Sequence, residues 1–273
     1  VIISTLGDRV TDRPFSEIGP AGVFVREIES ALLAGEIALA IHSYKDLPTV
    51  SPEGLEIVAV PERLDPADVL VVDERVWTAP NSDSSGLSRP LPLAFGARVG
   101  TSSARRRALL KAVLPDLELV GLRGNVPTRL RKCREEDYAA IVLAAAGVQR
   151  LEDEGCCDLS GLRMLRLDPA VFITAPSQGA LAVQAAASSE AAGVAAALDE
   201  AAAHRAASVE RSVLAALEGG CQSAIGAWLE WTETGCTLHG AFETESGLRW
   251  AQRHGDGVLF DAMVDSLVAE LRP

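Results

Sequence analysis

The sequence predicts an α/β chain that ends in a small, separate α+β unit. Short apolar runs of β type alternate with helix-type stretches through the first two thirds, at residues 1–5, 37–41, 55–60, 69–72, 117–120 and 139–144. Such alternation predicts α/β units with largely parallel sheets. After residue 224 the pattern changes to three alternating runs, 225–231, 236–242 and 248–253, followed by an amphipathic stretch at 258–271. Runs separated by turn residues and closed by a helix predict an antiparallel sheet with its own helices. At 273 residues the chain is long enough for two or three domains.

Taken in order, the run at 37–41 ends in "HSYKDLP", where a buried-type strand delivers His42, Ser43, Lys45 and Asp46 and Pro48 blocks a helix. Carboxyl ends of strands in α/β sheets are where ligands gather. The plain alternative is a strand-end ion pair between Lys45 and Asp46. The segment 77–92, "WTAPNSDSSGLSRPLP", is polar and rich in proline and serine, which predicts a surface loop or disordered insertion. In "VGTSSARRRALLKAV" (99–113), a strand end runs into Thr101, Ser102 and Ser103, good helix caps, and the helix opens on Arg105, Arg106 and Arg107. Cations at a helix amino terminus oppose the dipole, so a ligand or partner is expected to supply negative charge, while Arg107 is expected in solvent. "LVGLRGNVPTRLRKC" (119–133) repeats the arrangement with Arg123, Gly124, an Asn125 cap, Pro127 in the first turn and Arg129. A third instance is Arg150 after the strand and glycine of "IVLAAAGVQRL". Three strand-to-helix turns presenting arginine at one sheet edge predict a cleft for a polyanion, and without a Walker loop carboxylates are favoured over phosphate. The alanine-rich stretch 185–217 predicts a helix leading to "LEGGCQSAIG" (217–226).

The net charge is −13, which argues against a nucleic-acid partner, yet residues 98–150 hold eleven basic against five acidic residues, a window of +6. No apolar run is long enough to span a membrane, and no signal-peptide pattern opens the chain. Five cysteines without C-x-x-C spacing predict a reducing, cytoplasmic setting, and Cys133 and Cys236 read as small buried hydrophobes. The four histidines, His42, His204, His239 and His254, lack ligand spacing, so no metal is expected. Cys221 stands apart because two glycines precede it on a loop that leaves its thiol bare.

In this order the motifs "GVFVREIE" (22–29), "HSYKDLP" (42–48), "GTSSARR" (100–106), "LRGNVPTRL" (122–130), "APSQGAL" (175–181) and "LEGGCQSAIG" resemble those of the hydroxymethylbilane synthase (porphobilinogen deaminase) family from about residue 4 to 226. The resemblance implies two lobes like those of periplasmic binding proteins around a central cleft, plus a small α+β carboxyl-terminal domain. The corresponding bounds are residues 1–64 with 168–188 for domain 1, 65–167 for domain 2 and 189–273 for domain 3. It implies stepwise condensation of four porphobilinogen molecules into linear hydroxymethylbilane, with release of ammonia, for tetrapyrrole synthesis. It also implies a dipyrromethane cofactor joined to Cys221 by a thioether, a catalytic Asp46, and cofactor contacts from Ser43, Lys45, Thr101, Ser102, Ser103, Arg105, Arg106 and Gly124. Substrate carboxylates fall to Arg123, Arg129, Arg150 and Arg26, the last of which reads otherwise as a solvated helix position. The partners implied are porphobilinogen and the growing pyrrole chain, with no nucleic acid, no membrane and a monomeric state.

The sequence departs from the family pattern in three places: Ala21 stands in a K-G-x-F motif, Leu6 where arginine is common, and Ala67 in a D-P-R-D motif. The family's opening strand and helix, with an R-x-S-x-L-A motif, would precede the first residue here, so an amino-terminally short chain is expected. These losses leave one alternative from another class: a noncatalytic or impaired homologue that binds a carboxylated small molecule.

Overall fold

The computed structural model describes residues 25–77, 90–217 and 223–273. The strand expected at 1–5, most of the segment 77–92, Leu6, Ala21 and Cys221 lie outside the described residues.

Strands β1 (Leu39–Ser43), β2 (Leu55–Ala59) and β8 (Leu181–Ala186) form one sheet in the order β1-β8-β2, flanked by helix α1 (Arg26–Leu33). A five-stranded sheet has the order β5-β4-β6-β3-β7, from β3 (Asp68–Asp73), β4 (Arg98–Gly100), β5 (Glu118–Val120), β6 (Ala140–Ala144) and β7 (Leu162–Arg166). Helices α2 (Ala104–Val113), α3 (Val126–Glu135) and α4 (Ala145–Asp153) follow β4, β5 and β6 in turn. The third sheet, β11-β10-β9, is an antiparallel meander of β9 (Ile225–Thr232), β10 (Gly235–Thr244) and β11 (Gly247–Gly255), packed by α6 (Ala201–Ala216) and α7 (Phe260–Leu271). The short helix α5 (Glu190–Ala195) lies between β8 and α6.

Local chemistry explains these elements. Ser103 caps α2 by accepting the Arg106 amide, and Asn125 caps α3 by accepting the Thr128 amide at 3.0 Å. All six residues of β3 are buried, as suits a strand covered on both faces. Leu238, Leu267 and Leu271 are fully buried between β10 and α7, each contributing about 1.5–3 kcal/mol by leaving water.

Two expectations are corrected. Among the described residues the sheets are not largely parallel: β4 pairs in parallel with β5 and β6, but β3 runs antiparallel to β6 and β7, and β8 antiparallel to β1 and β2. The chain leaves the first sheet after β2 and returns only at β8, so β3 and β8 enter their sheets from crossings, opposite to their neighbours. The alanine-rich stretch is not one helix either. Ala185 and Ala186 finish β8, and two separate helices follow, because pairing on both sides of β8 overrides alanine's helical preference.

The two crossings, 60–67 and 167–180, are bonded to each other. Arg63 Nε donates to the Gln178 carbonyl at 2.8 Å, and Gln178 Nε2 donates to the Pro66 carbonyl at 2.8 Å. Gly179, at φ +89°, lies so close to the other crossing that a Cβ would sit 2.4 Å from the Leu64 carbonyl oxygen.

Candidate active site

The carboxyl end of β1 passes into a 3-10 turn, Tyr44–Asp46, closed by the Leu47 amide donating to the Tyr44 carbonyl at 3.2 Å. Pro48 stops it from continuing. Lys45 turns inward, donating from Nζ to Gln178 Oε1 at 3.1 Å. Burial pushes its pKa down to about 8, and the Arg106 guanidinium adds to the shift, while Asp46 and Asp68 oppose it. Asp46 is exposed beside it, and Ser43 is exposed at the strand end.

From the second sheet, β4 delivers Thr101, Ser102 and Ser103. Thr101 is buried, and its hydroxyl accepts the Ser103 amide at 3.2 Å. The Ser102 hydroxyl bonds both the Leu122 carbonyl (2.9 Å) and the Leu122 amide (3.0 Å), lacing the ends of β4 and β5 together. Arg105 and Arg106 are 4% and 6% exposed and meet one fully buried carboxylate, Asp68. Arg105 Nη1 donates to Asp68 Oδ2 at 2.8 Å, and Arg106 Nη2 to Asp68 Oδ1 at 2.6 Å. Arg105 Nη1 also reaches the Ile173 carbonyl, and Arg106 Nη1 the Val142 carbonyl. Burial alone would raise the Asp68 pKa, but the two guanidiniums outweigh it and hold the carboxyl well below the usual range. This corrects the expectation that a ligand supplies the negative charge at the start of α2: Asp68, at the first position of β3, supplies it. Arg107 is exposed as expected, with Nη1 on the Leu119 carbonyl.

The β5 turn places Gly124 at φ +116° with its carbonyl accepting Arg129 Nε at 2.6 Å. Burial lowers the Arg129 pKa, Arg106 adds repulsion and Asp46 opposes, which puts Arg129 within electrostatic reach of the Lys45–Asp46 turn. Arg150 Nη2 donates to the Gly179 carbonyl at 2.8 Å, beside the residue that receives Lys45. Arg123 is half-buried at the end of β5 and is engaged there. Arg26 is exposed in the first turn of α1, with no described contact to this group. Cys221 falls between the described ends Leu217 and Ser223. Of the other thiols, Cys133 and Cys236 are buried, and burial pushes Cys133 up to about 12. Cys156 is exposed. Among the described residues no group of three or more His, Cys, Asp or Glu is placed to hold a metal ion, and no helix is long and apolar enough to cross a membrane.

Sequence reasoning missed the residues that join the two sides. Gln178, 1% exposed, accepts from Lys45 and donates to Asp68 Oδ1 at 2.9 Å. Arg63 forms a two-pronged pair with the fully buried Glu210 at 2.7 and 2.9 Å, and Glu210 also accepts the Ser177 amide (2.6 Å) and the Leu229 amide (2.9 Å). Ser177 sits at φ +64°, an uncommon backbone for serine, held by that bond. Gln178 lies within "APSQGAL" and Asp68 within the D-P-x-D segment, so both were visible as motif letters without a role.

Lys45, Arg105, Arg106, Arg129 and Arg150 therefore cluster around Asp46 and the 176–180 loop. Such a donor set suits a ligand that carries several carboxylates, and one exposed carboxylate among cations suits stabilisation of a transient positive charge. A dipyrromethane, whose two rings each bear an acetate and a propionate, is matched by this chemistry.

Comparison with known proteins agrees. Residues 1–193 match the family model described as "Porphobilinogen deaminase, dipyromethane cofactor binding domain". The porphobilinogen deaminase of Roseiflexus sp. (strain RS-1) is 48% identical over 226 residues, covering 82% of this chain and 69% of that protein. The enzyme of that name from Syntrophobacter fumaroxidans is 40% identical over 247 residues, covering 90% and 74%. That from Trichlorobacter lovleyi is 39% identical over 264 residues, covering 96% and 78%. Among solved structures, an ancestral cationic amino acid solute binding protein overlays at 13% identity and a TM-score of 0.35, across 60% of this chain and 62% of that one. That overlap is too low to bear on the architecture, which rests on the three sheets. With a family model over residues 1–193 and relatives this similar along most of their length, the chain belongs to the porphobilinogen deaminase family.

Proposed function

We propose that the chain is a hydroxymethylbilane synthase, a transferase that joins four porphobilinogen molecules head to tail with loss of ammonia. The observation that carries this reading is the meeting of Lys45 and Arg106, from two different sheets, through Gln178 and Asp68 beside the exposed Asp46. A noncatalytic carboxylate binder is not favoured, since the relatives at 40–48% identity bear the enzyme's name.

Dipyrromethane, bound through a thioether to Cys221, supplies the primer on which the chain grows. Lys45, Arg105, Arg106, Ser43, Thr101, Ser102, Ser103 and the Gly124 backbone are assigned to hold and orient its carboxylates and rings. Arg105 and Arg106 act there with Asp68 already between them, so their net contribution to a ligand is one positive charge. Arg123, Arg129 and Arg150 are assigned to the substrate's acetate and propionate, with Arg26 a further candidate. Asp46 is assigned to offset the positive charge that develops on the substrate as its amine leaves as ammonia, and to carry the pyrrole proton. The chain is acidic overall, at −13 in total despite the basic window, which disfavours other polyanions around this cluster. Three domains fit the three sheets, with bounds 1–64 and 168–188, 65–167 and 189–273, and we assign the chain to the cytoplasm as a monomer.

The test is intact mass of the purified chain with peptide mapping, together with ammonia release from porphobilinogen by the chain and by Asp46→Asn. The expected result is an adduct of two linked pyrroles on Cys221, and turnover that falls about 10²- to 10³-fold in the variant. An unmodified Cys221 with no ammonia release refutes the reading.

A further inference from the structure

The 3-10 turn that carries Lys45 and Asp46 has one internal hydrogen bond, Leu47 amide to Tyr44 carbonyl, and is too short to hold its own shape. One side chain from outside adds bonds to the turn's first carbonyl and to the two carbonyls that follow the turn. Arg211, on α6 and 8% exposed, donates from Nη1 to the Tyr44 carbonyl at 3.1 Å and to the Leu47 carbonyl at 3.3 Å, and from Nη2 to the Pro48 carbonyl. Its guanidinium lies 4.5 Å from the centre of the Tyr44 ring, which is itself buried. A planar fork thus spans both ends of the turn while stacking on its first side chain, which a lysine's point charge does not reproduce.

The helix that carries Arg211 is anchored independently. The preceding residue, Glu210, fixes α6 to the Ser177 amide, to Arg63 and to the Leu229 amide of β9. Cys221 lies ten residues beyond Arg211 in the chain, five past the end of α6 at Ala216. One helix is therefore tied to the Asp46 turn at its third turn and continues towards the cysteine.

We propose that Arg211 is a positioning residue for the reaction: it fixes the Lys45–Asp46 turn against α6, and so sets where Asp46 stands relative to the carboxyl-terminal half of that helix. This deepens the functional reading above and rests on it. Loss of the fork displaces the acid without touching Arg123, Arg129 or Arg150, so turnover falls and substrate affinity holds.

The experiment compares the unchanged chain with Arg211→Lys and Arg211→Met, by steady-state ammonia release from porphobilinogen and by hydrogen exchange of the Leu47 amide. The expected result is a kcat lower by about 10- to 100-fold in both variants, KM within about twofold, and faster exchange at Leu47 with β10 unchanged. In the unchanged chain, the Leu47 amide is expected to exchange together with α6. The proposal is overturned by a folded variant that keeps its kcat, by a rise in KM at constant kcat, or by full activity in Arg211→Lys. A Leu47 amide that exchanges well before α6 in the unchanged chain also overturns it, whether or not the variants fold. If the unchanged chain releases no ammonia, the functional reading fails, and the exchange measurement still decides whether Arg211 holds the turn.

Discussion

Replacing Asp68 by asparagine removes the carboxylate between Arg105 and Arg106 while keeping the side chain's size. Asp68 is fully buried and accepts from Arg105 Nη1, Arg106 Nε and Nη2, and Gln178 Nε2 at 2.6–3.0 Å. The asparagine amide offers one acceptor oxygen and brings N–H groups towards guanidiniums that also donate. Two buried cations are then left facing each other, and breaking a buried pair by removing one partner costs about 3–5 kcal/mol. At about 2–4 °C per kcal/mol for a chain of this size, the melting temperature falls by about 6–20 °C. Urea unfolding at pH 7 measures the difference directly. Asp68 has a depressed folded pKa, so its stabilisation is present above the unfolded value of 3.8 and is lost as pH falls through the lower folded one. The gap between parent and variant therefore stays constant from pH 7 down to about 4 and narrows below that. A difference under about 1 kcal/mol at pH 7, or one that shrinks between pH 7 and 5, refutes the reasoning.

Lys45 carries a second prediction. With a pKa near 8 it is neutral above that pH and loses its hold on the cofactor's carboxylates, so kcat falls on the alkaline side of about 8 while KM for porphobilinogen holds, and Lys45→Arg removes that limb from the pH profile. Stability moves the other way: between about 8 and the ordinary 10.5 the unfolded chain holds the Lys45 proton more tightly, so this group's contribution rises with pH, as unfolding titrations at several pH values will show. Gly179→Ala forces a Cβ to within 2.4 Å of the Leu64 carbonyl at positive φ and is expected to cost more than about 2 kcal/mol. Gly193→Ala, in α5 with nothing within 4 Å of the new methyl, is the control, expected to gain about 0.5–1 kcal/mol in the same melts.

Much of this was legible in sequence where chemistry is local. Ser103 and Asn125 announced helix starts, the alternation after residue 224 gave three strands to within a few residues, and Lys45, Arg105, Arg129 and Arg150 were each placed at a strand-to-helix turn or strand end. What stayed hidden depends on contacts distant in sequence. Ala185 and Ala186 read as the start of a helix until β1 and β2 pair with β8 from both sides, and "LRMLR" is too short and too basic to signal β7. The same holds for charge: nothing near Arg105 reveals that Asp68, 37 residues earlier, balances it, and nothing near Arg211 points to a turn 164–167 residues away. Spacing reveals which residues carry charge at an edge, and only the assembled sheets reveal which of those charges are already matched.

The place of β8 between β1 and β2 has a consequence for the order in which the chain can mature. His42 of β1 and Gln184 of β8 are 142 residues apart, and β1 and β2 are not ladder neighbours of each other. As the polypeptide emerges during synthesis, both strands wait without their central partner until the whole five-stranded sheet has been made. Among the described residues β1 and β2 have no ladder partner but β8, so during that interval they present open backbone edges and apolar side chains, a state open to mispairing and to chaperone capture. The unit that bears Asp46 is thus closed by one of the last strands to be translated before the thiol-bearing segment, so assembly of the acid's surroundings is timed to the arrival of α6 and Cys221.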